Sequence, residues 1–65
     1  MKDYYPNGTL VRHRYFHERG LGLVVDHTKQ GLNTNMIVRW LTSTLKTECS
    51  LWELIDIKEI DNGSI

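Results

Sequence analysis

A chain of 65 residues has room for a single domain, and a domain of this size buries only about 60% of the surface that its unfolded form exposes. Eight basic and eight acidic residues leave no net formal charge, which argues against the strongly basic balance of a dedicated nucleic-acid binder. The sequence has no membrane-spanning apolar run, and we expect no signal peptide because its first residues lack an apolar stretch. Its single cysteine excludes a disulfide within the chain. We therefore expect one domain over residues 1–65, with its core at about 8–58, in the reducing cytoplasm.

The alternation of apolar and polar residues predicts five short β-strands joined by polar turns. A turn at Pro6-Asn-Gly8 precedes the first strand, and Ser50 with Glu53 three residues later predicts a capping box and one 3₁₀ turn before the last strand. The predicted strands are 9–15, 20–27, 35–41, 45–49 and 55–60, with a charged loop at 16–19, a hairpin loop at 28–34, a tight turn at 42–44 and a polar tail at 61–65. These elements predict an all-β protein, a single small five-stranded antiparallel barrel without an α-helix of more than two turns.

Strand periodicity places alternate residues on one face and so predicts a core. Trp40 is expected inside this core, with its indole N–H on a backbone carbonyl, and Trp52 is expected to be half-exposed beside the charged loop. Cys49 is expected to pack as a small half-buried apolar residue rather than to react as a thiol. The predicted core residues are Val11, Leu23, Val25, Val38, Trp40 and Leu54.

The order of the predicted elements resembles the Src-homology-3-like (SH3-like) small barrel over about residues 8–58. The residues that carry the resemblance are Gly8-Thr-Leu-Val11, Gly20-Leu-Gly-Leu-Val-Val25, Ile37-Val-Arg-Trp40 and Leu51-Trp-Glu-Leu-Ile55. The same spacing of Gly, Val and Trp is similar to that of short uncharacterised proteins of tailed bacteriophages, which implies a small accessory protein in the host cytoplasm or the virion. The chain lacks the acidic first loop and the Ala-Leu-Tyr-Asp-Tyr motif of the peptide-binding barrels, so the resemblance does not imply binding of proline-rich peptides.

One segment of the chain, residues 12–19, has a local charge bias. It contains three Arg and two His with Tyr15 and Phe16 between them, which is the chemistry of a surface that binds phosphates and stacks bases. The alternative interpretation is a solvated strand face and loop in which Glu18 pairs with an Arg. Together with the second tryptophan, this segment supplies the candidate interaction surface, which is Arg12, Arg14, Tyr15, Phe16, His17, Arg19 and Trp52.

No pattern in the sequence predicts a metal site, a cofactor or a catalytic group. Zinc sites usually have paired ligands at a short spacing such as C-x₂-C, and no two of the candidate ligands have such a spacing on a common turn. The candidate ligands are His13, His17, His27 and Cys49. Asp26 and His27 are neighbours on a strand, so their side chains point to opposite faces and cannot act as a catalytic pair. We expect no cofactor and no enzymatic activity from a monomer, because so small a barrel has no cleft that excludes water.

Three hypotheses about function differ in what they require of the surface. The favoured one is a non-enzymatic interaction or assembly module that binds another protein or itself, because free strand edges and exposed aromatic side chains suit strand addition and self-association. The alternative is a nucleic-acid-binding barrel similar to the KOW and Tudor types, which would use residues 12–19 and bind with strong salt dependence. The third is an oligomeric enzyme whose pocket forms only between subunits.

Overall fold

The computed structural model describes residues 4 to 58, which form one antiparallel sheet of five strands. The strands are β1 (Leu10–His13), β2 (Leu21–Gln30), β3 (Asn33–Trp40), β4 (Lys46–Cys49) and β5 (Leu54–Asp56), and 3₁₀ turns cover His17–Arg19 and Leu51–Glu53. Neighbouring strands lie in the order β4-β3-β2-β1-β5. The predicted all-β, small barrel-like fold of five antiparallel strands, with a 3₁₀ turn before the last strand, is confirmed. The backbone N–H of Ser50 donates to Oε1 of Glu53 at 2.8 Å in the predicted capping box, whereas the 3₁₀ turn at His17–Arg19 was not predicted.

The hairpin between β2 and β3 is longer and tighter than the sequence predicts. Both strands continue through most of the predicted loop at 28–34, and only Gly31 and Leu32 connect them. Gly31 has a φ of +62°, the left-handed conformation that tight hairpin turns require and that glycine adopts without strain. The predicted long loop was wrong because its polar residues pair across the two strands, Thr28 with Asn35 for example, where solvent reaches the sheet.

β1 and β5 are shorter than predicted. β1 ends at His13 because the ring of that residue accepts the backbone N–H groups of Tyr15 and Phe16, which turns the chain out of the strand. β5 ends at Asp56, whose Oδ1 accepts the backbone N–H of Lys58 at 2.9 Å. Residues 59 and 60 of the predicted last strand, and the predicted tail at 61–65, lie outside the described residues.

The core lies on the inner face of the sheet, and its composition differs from the prediction in β2. The predictions for Val11, Val38, Trp40 and Leu54 are confirmed. The predictions for Leu23 and Val25 were wrong, because both are half-buried and Val24 between them is buried. Cys49, expected to be half-buried, is 3% exposed. The buried apolar residues are Val11, Val24, Met36, Val38, Trp40, Cys49 and Leu54.

A glycine and a bulge decide which face of β2 is the inner one. Gly22 lies on the inner face beneath Trp40, and Val24 two residues later therefore shares that face. The register then shifts between Val24 and Asp26, which leaves Val25 without a partner in β3. An unbroken period of two cannot describe this strand.

The buried Trp40 bonds differently from the prediction. Its indole N–H donates to Oγ1 of Thr47 at 2.8 Å, a side chain rather than a backbone carbonyl. Thr47 is the β4 residue opposite Val38, so it lies on the same inner face of the sheet and brings its hydroxyl to the indole. The bond satisfies the one polar atom of a side chain that is 1% exposed.

Candidate interaction surface

His13 connects the end of β1 to the loop that follows it. The residue is 2% exposed, and its Nδ1 accepts the backbone N–H groups of Tyr15 and Phe16, each at 3.1 Å. A ring nitrogen that accepts hydrogen bonds carries no proton, so the proton of the neutral ring is on Nε2. Burial, and then the positive charge of Arg19, lowers the pKa of His13 from its usual 6.5, although nearby carboxylates oppose the shift. The ring is therefore neutral at pH 7 and accepts both bonds.

Tyr15 and Phe16 project from this loop into solvent, with 61% and 46% of their surfaces exposed. The Phe16 ring lies 4.7 Å from the His13 ring between centroids. The guanidinium carbon of Arg19 lies 4.8 Å from the centroid of the Phe16 ring and 5.6 Å from that of Trp40. Each such cation–π contact contributes about 0.5–1 kcal/mol where it is exposed. Arg19 thus joins the exposed loop to the edge of the core.

Trp52 lies on the 3₁₀ turn Leu51–Glu53 and is 62% exposed. The Nε of Arg14 donates to the carbonyl oxygen of Trp52 at 2.8 Å, and the backbone N–H of Arg14 donates to the carbonyl oxygen of Glu53 at 2.7 Å. The ring of Tyr15 meets the indole edge-on, with centroids 6.1 Å apart. The charged loop and the second 3₁₀ turn are therefore one connected surface.

Six of the seven candidate residues lie in this surface, and Arg12 does not. His17 belongs to it through Nε2, which lies 2.8 Å from the carbonyl oxygen of Arg14. Arg12 faces the outer side of β1, opposite Leu21 and Ile55, and its Nε is buried without a hydrogen-bond partner among residues 4 to 58. We call the remaining set the aromatic surface, which consists of Arg14, Tyr15, Phe16, His17, Arg19 and Trp52.

A groove of about 390 Å³ adjoins the aromatic surface and shares Trp52 with it. Leu32, at the tip of the β2–β3 hairpin, stands fully exposed at 102%. The groove is lined by Leu32, Asn33, Thr34, Asn35, Ser50, Leu51 and Trp52, none of which carries a charge. This groove was not predicted from the sequence, because the predicted hairpin loop at 28–34 covers residues that belong to strands. The one available signal was a leucine inside an otherwise polar segment.

Among residues 4 to 58, no strand pairs with the first residues of β3 on the side away from β2, so in this part of the chain they form a free strand edge beside the groove. The pairing of β3 with β4 stops at Met36 and Cys49, because the chain turns into the second 3₁₀ turn after Ser50. Backbone groups of a strand alternate between its two neighbours, and those of Trp40 face β4, since its N–H donates to Leu45 at 2.8 Å. By the same alternation the N–H and C=O of Thr34, a residue that lines the groove, point away from β2.

A second cleft, of about 560 Å³, lies beside the same end of β2 and shares Thr34 with the groove. His27 is one of its lining residues, and its Nε2 lies 2.7 Å from the carbonyl oxygen of Tyr5. Asp26 instead accepts the backbone N–H of His27 at 2.8 Å, so the two side chains do not meet. Within residues 4 to 58, no three His, Cys, Asp or Glu side chains are placed to hold a metal ion.

No known protein family, curated protein or solved structure matches this chain. Among the described residues, no helix has the length and apolar character needed to cross a membrane.

Proposed function

We propose that this protein is a non-enzymatic interaction module that binds an extended, uncharged segment of a partner protein between its aromatic surface and the groove beside Trp52. The observation that carries the proposal is that Trp52 is 62% exposed while its backbone carbonyl accepts a hydrogen bond from Arg14 and its indole meets the Tyr15 ring edge-on. Trp, Tyr and Arg are the residue types that most often supply binding energy at interfaces. A turn whose backbone is held before binding loses little conformational freedom when a partner covers it.

The free edge beside the groove supports an extended partner segment. Strand addition uses main-chain hydrogen bonds for affinity and pockets on either side for specificity. The N–H and C=O of Thr34 supply one such donor and acceptor, and Leu32 and Trp52 offer apolar contacts in the same groove. A segment with apolar side chains at alternate positions matches this arrangement.

The distribution of charge supports a neutral partner over a nucleic acid. The groove has no charged lining residue. Two acidic residues, Glu18 and Glu53, belong to the 3₁₀ turns that carry the aromatic surface, and both act on His13 together with Arg19, so this part of the protein has as many carboxylates as Arg14 and Arg19 supply positive charges. Nucleic-acid binding depends on a one-sided basic face that neutralises phosphates, and this surface lacks that excess.

Selection from a library of random displayed peptides tests the proposal. The full chain is the bait, and the Trp52→Ala variant, with its fold checked by circular dichroism, is the counter-bait. We expect the wild type alone to enrich peptides with apolar residues at alternate positions and a Kd on the order of micromolar.

Two exposed leucines give a matched control for the groove. Leu32→Ala should weaken binding of a selected peptide by about tenfold, the cost of one apolar contact at an interface. Leu45→Ala should leave binding unchanged, because Leu45 is also exposed, at 61%, but does not line the groove.

Sedimentation over a range of concentrations, alone and with random-sequence duplex DNA, identifies other occupants. A dimer that Trp52→Ala disrupts would replace the partner with a second copy of this chain. DNA binding with a steep salt dependence would replace it with a nucleic acid. A monomer for which wild-type and Trp52→Ala chains select the same peptides contradicts the proposal.

A further inference from the structure

We infer that His13 is a positioning residue of the aromatic surface, and that protonation of its ring releases the loop that carries Tyr15 and Phe16. The inference rests on the proposed function for its biological meaning, since the loop belongs to the proposed binding surface. The movement itself requires no partner, so it can be tested on the protein alone.

The hydrogen bonds of His13 depend on its neutral form. Nδ1 accepts the N–H groups of Tyr15 and Phe16, each at 3.1 Å, so this one atom fixes two consecutive peptide groups of the loop. In the imidazolium form both ring nitrogens are donors. A protonated Nδ1 would then face two N–H donors, and a half-turn of the ring would put the Cδ2–H group, which cannot accept a hydrogen bond, in the same place. The two bonds are therefore incompatible with a charged ring.

Charged groups of both 3₁₀ turns face the ring. Arg19, in the first turn, disfavours the charged form, and Glu18 beside it favours that form. Glu53, in the second turn, also favours it, and its Oε2 lies 3.7 Å from Nε2 of His13. This distance is too long for a hydrogen bond to the neutral ring, so the contact becomes an ion pair only after protonation.

The uncharged neighbours explain which state is favoured at neutral pH. The ring centroid of Trp40, in β3, lies 6.1 Å from that of His13. The ring centroid of Tyr15, in the loop, lies at the same distance from it. These rings and Phe16 cover the imidazole and remove water from it, and burial is the largest cause of the lowered pKa. Charging the ring thus draws it toward Glu53 and away from the loop.

The expected release is local, because separate bonds hold the rest of the surface. Arg14 donates through Nε to Trp52 and through its backbone to Glu53, and neither bond involves His13. The contact that depends on the loop conformation is the one between the rings of Tyr15 and Trp52. Acidification should therefore separate Tyr15 from Trp52 while the second 3₁₀ turn stays in place.

Amide NMR and hydrogen exchange on the full chain between pH 8 and pH 4.5 test the inference. We expect the protection factors of the Tyr15 and Phe16 amides to fall by about tenfold on acidification, each having lost one hydrogen bond, while those of Val24 and Val38 stay constant. The midpoint should lie below 6.5 and should coincide with titration of the His13 ring. In the His13→Asn variant the side-chain oxygen can accept the same N–H groups without titrating, so the local response should disappear.

Each other outcome has a definite meaning. Titration of the ring without a change at the Tyr15 and Phe16 amides overturns the inference, and so does a simultaneous loss of protection at Val24 and Val38, which is global unfolding. If His13→Asn does not fold, the ring nitrogen spectrum of the wild type at pH 8 decides, because a proton on Nδ1 contradicts the inference and a proton on Nε2 supports it. Failure of peptide selection alone would contradict the proposed function and leave this result standing.

Discussion

Gly22 of β2 and Trp40 of β3 are directly opposite each other, and the indole ring occupies the space that a side chain at position 22 would need. A Cβ atom added to Gly22 would lie 2.8 Å from Cε3 of Trp40 and 2.5 Å from Cγ1 of Val38. Neither contact is possible without movement of a buried side chain. The close approach of strand and indole in the core therefore requires glycine at this position.

Gly22→Ala should destabilise the protein by about 1–3 kcal/mol, because the added methyl group overfills a packed core. The φ of Gly22 is not in the left-handed region, so the cost is steric and not conformational. Urea unfolding measures the change. In a Val38→Ala background the cost should be smaller, since one of the two contacts is gone. An unchanged urea midpoint for Gly22→Ala would show that the core has room for a methyl group where the structure leaves none.

Val24→Ala should cost about 1–3 kcal/mol through lost burial and the cavity it leaves, whereas Val25→Ala should cost less than about 1 kcal/mol. The two positions are adjacent and carry the same side chain, but Val24 is fully buried and Val25 is the half-buried residue of the bulge. Thermal or urea unfolding of both variants compares them directly. A larger loss for Val25→Ala would reverse the assignment of the inner face of β2.

The strands could be predicted where one local pattern decides the structure. The run from Met36 to Trp40 alternates without a break, and its inner face was predicted correctly. In β2 the same rule failed, because Gly22 has no side chain to mark the inner face and the bulge after Val24 changes the period. Both features concern the pairing of β2 with β3, so they depend on contacts between residues that are far apart in the sequence.

The candidate surface, too, could be predicted where local patterns decide it and not where residues distant in the sequence meet. The proximity of Trp52 to the charged loop was predicted, since both lie at the ends of predicted elements. The groove was not, because it needs Leu32 and Thr34 from one hairpin and Trp52 from a distant turn. The exclusion of Arg12 from the surface also depends on position, since strand alternation turns it to the outer face while His13 points inward.

Cys49 should react slowly with thiol reagents in the folded protein. Burial raises the pKa of its thiol, and the side chain is 3% exposed beside the hydroxyl of Thr47. The thiolate is the reactive form, so the raised pKa reduces the reactive fraction while burial keeps the reagent from the sulfur atom. We expect Ellman's reagent at pH 8 to react more than about tenfold faster in urea than in buffer, with one thiol per chain as the internal standard. Equal rates in the two solvents would place the thiol at the surface.

The stability of the protein should fall as the pH drops below the ordinary pKa of histidine, and His13 should be one cause. The folded protein holds the pKa of His13 below the usual 6.5. At pH values between the lowered pKa and 6.5, the unfolded chain binds a proton that the folded protein does not, so acidification favours unfolding. The contribution is complete above 6.5, is lost progressively down to the lowered pKa, and does not change further below it. Urea unfolding at a series of pH values from 8 to 4.5 measures the total pH dependence of the free energy of unfolding.

The His13→Asn variant separates this contribution from that of the carboxylates, which titrate in both proteins. The free energy of unfolding of the wild type should decrease relative to that of the variant across this window, and the difference should be constant above about pH 7.5. Parallel curves would mean that His13 has the same pKa in both states. A wild type that gains stability on acidification would mean that attraction to Glu53, at 3.7 Å, outweighs both burial and the charge of Arg19. That sign would also remove the basis for a neutral ring that holds Tyr15 and Phe16.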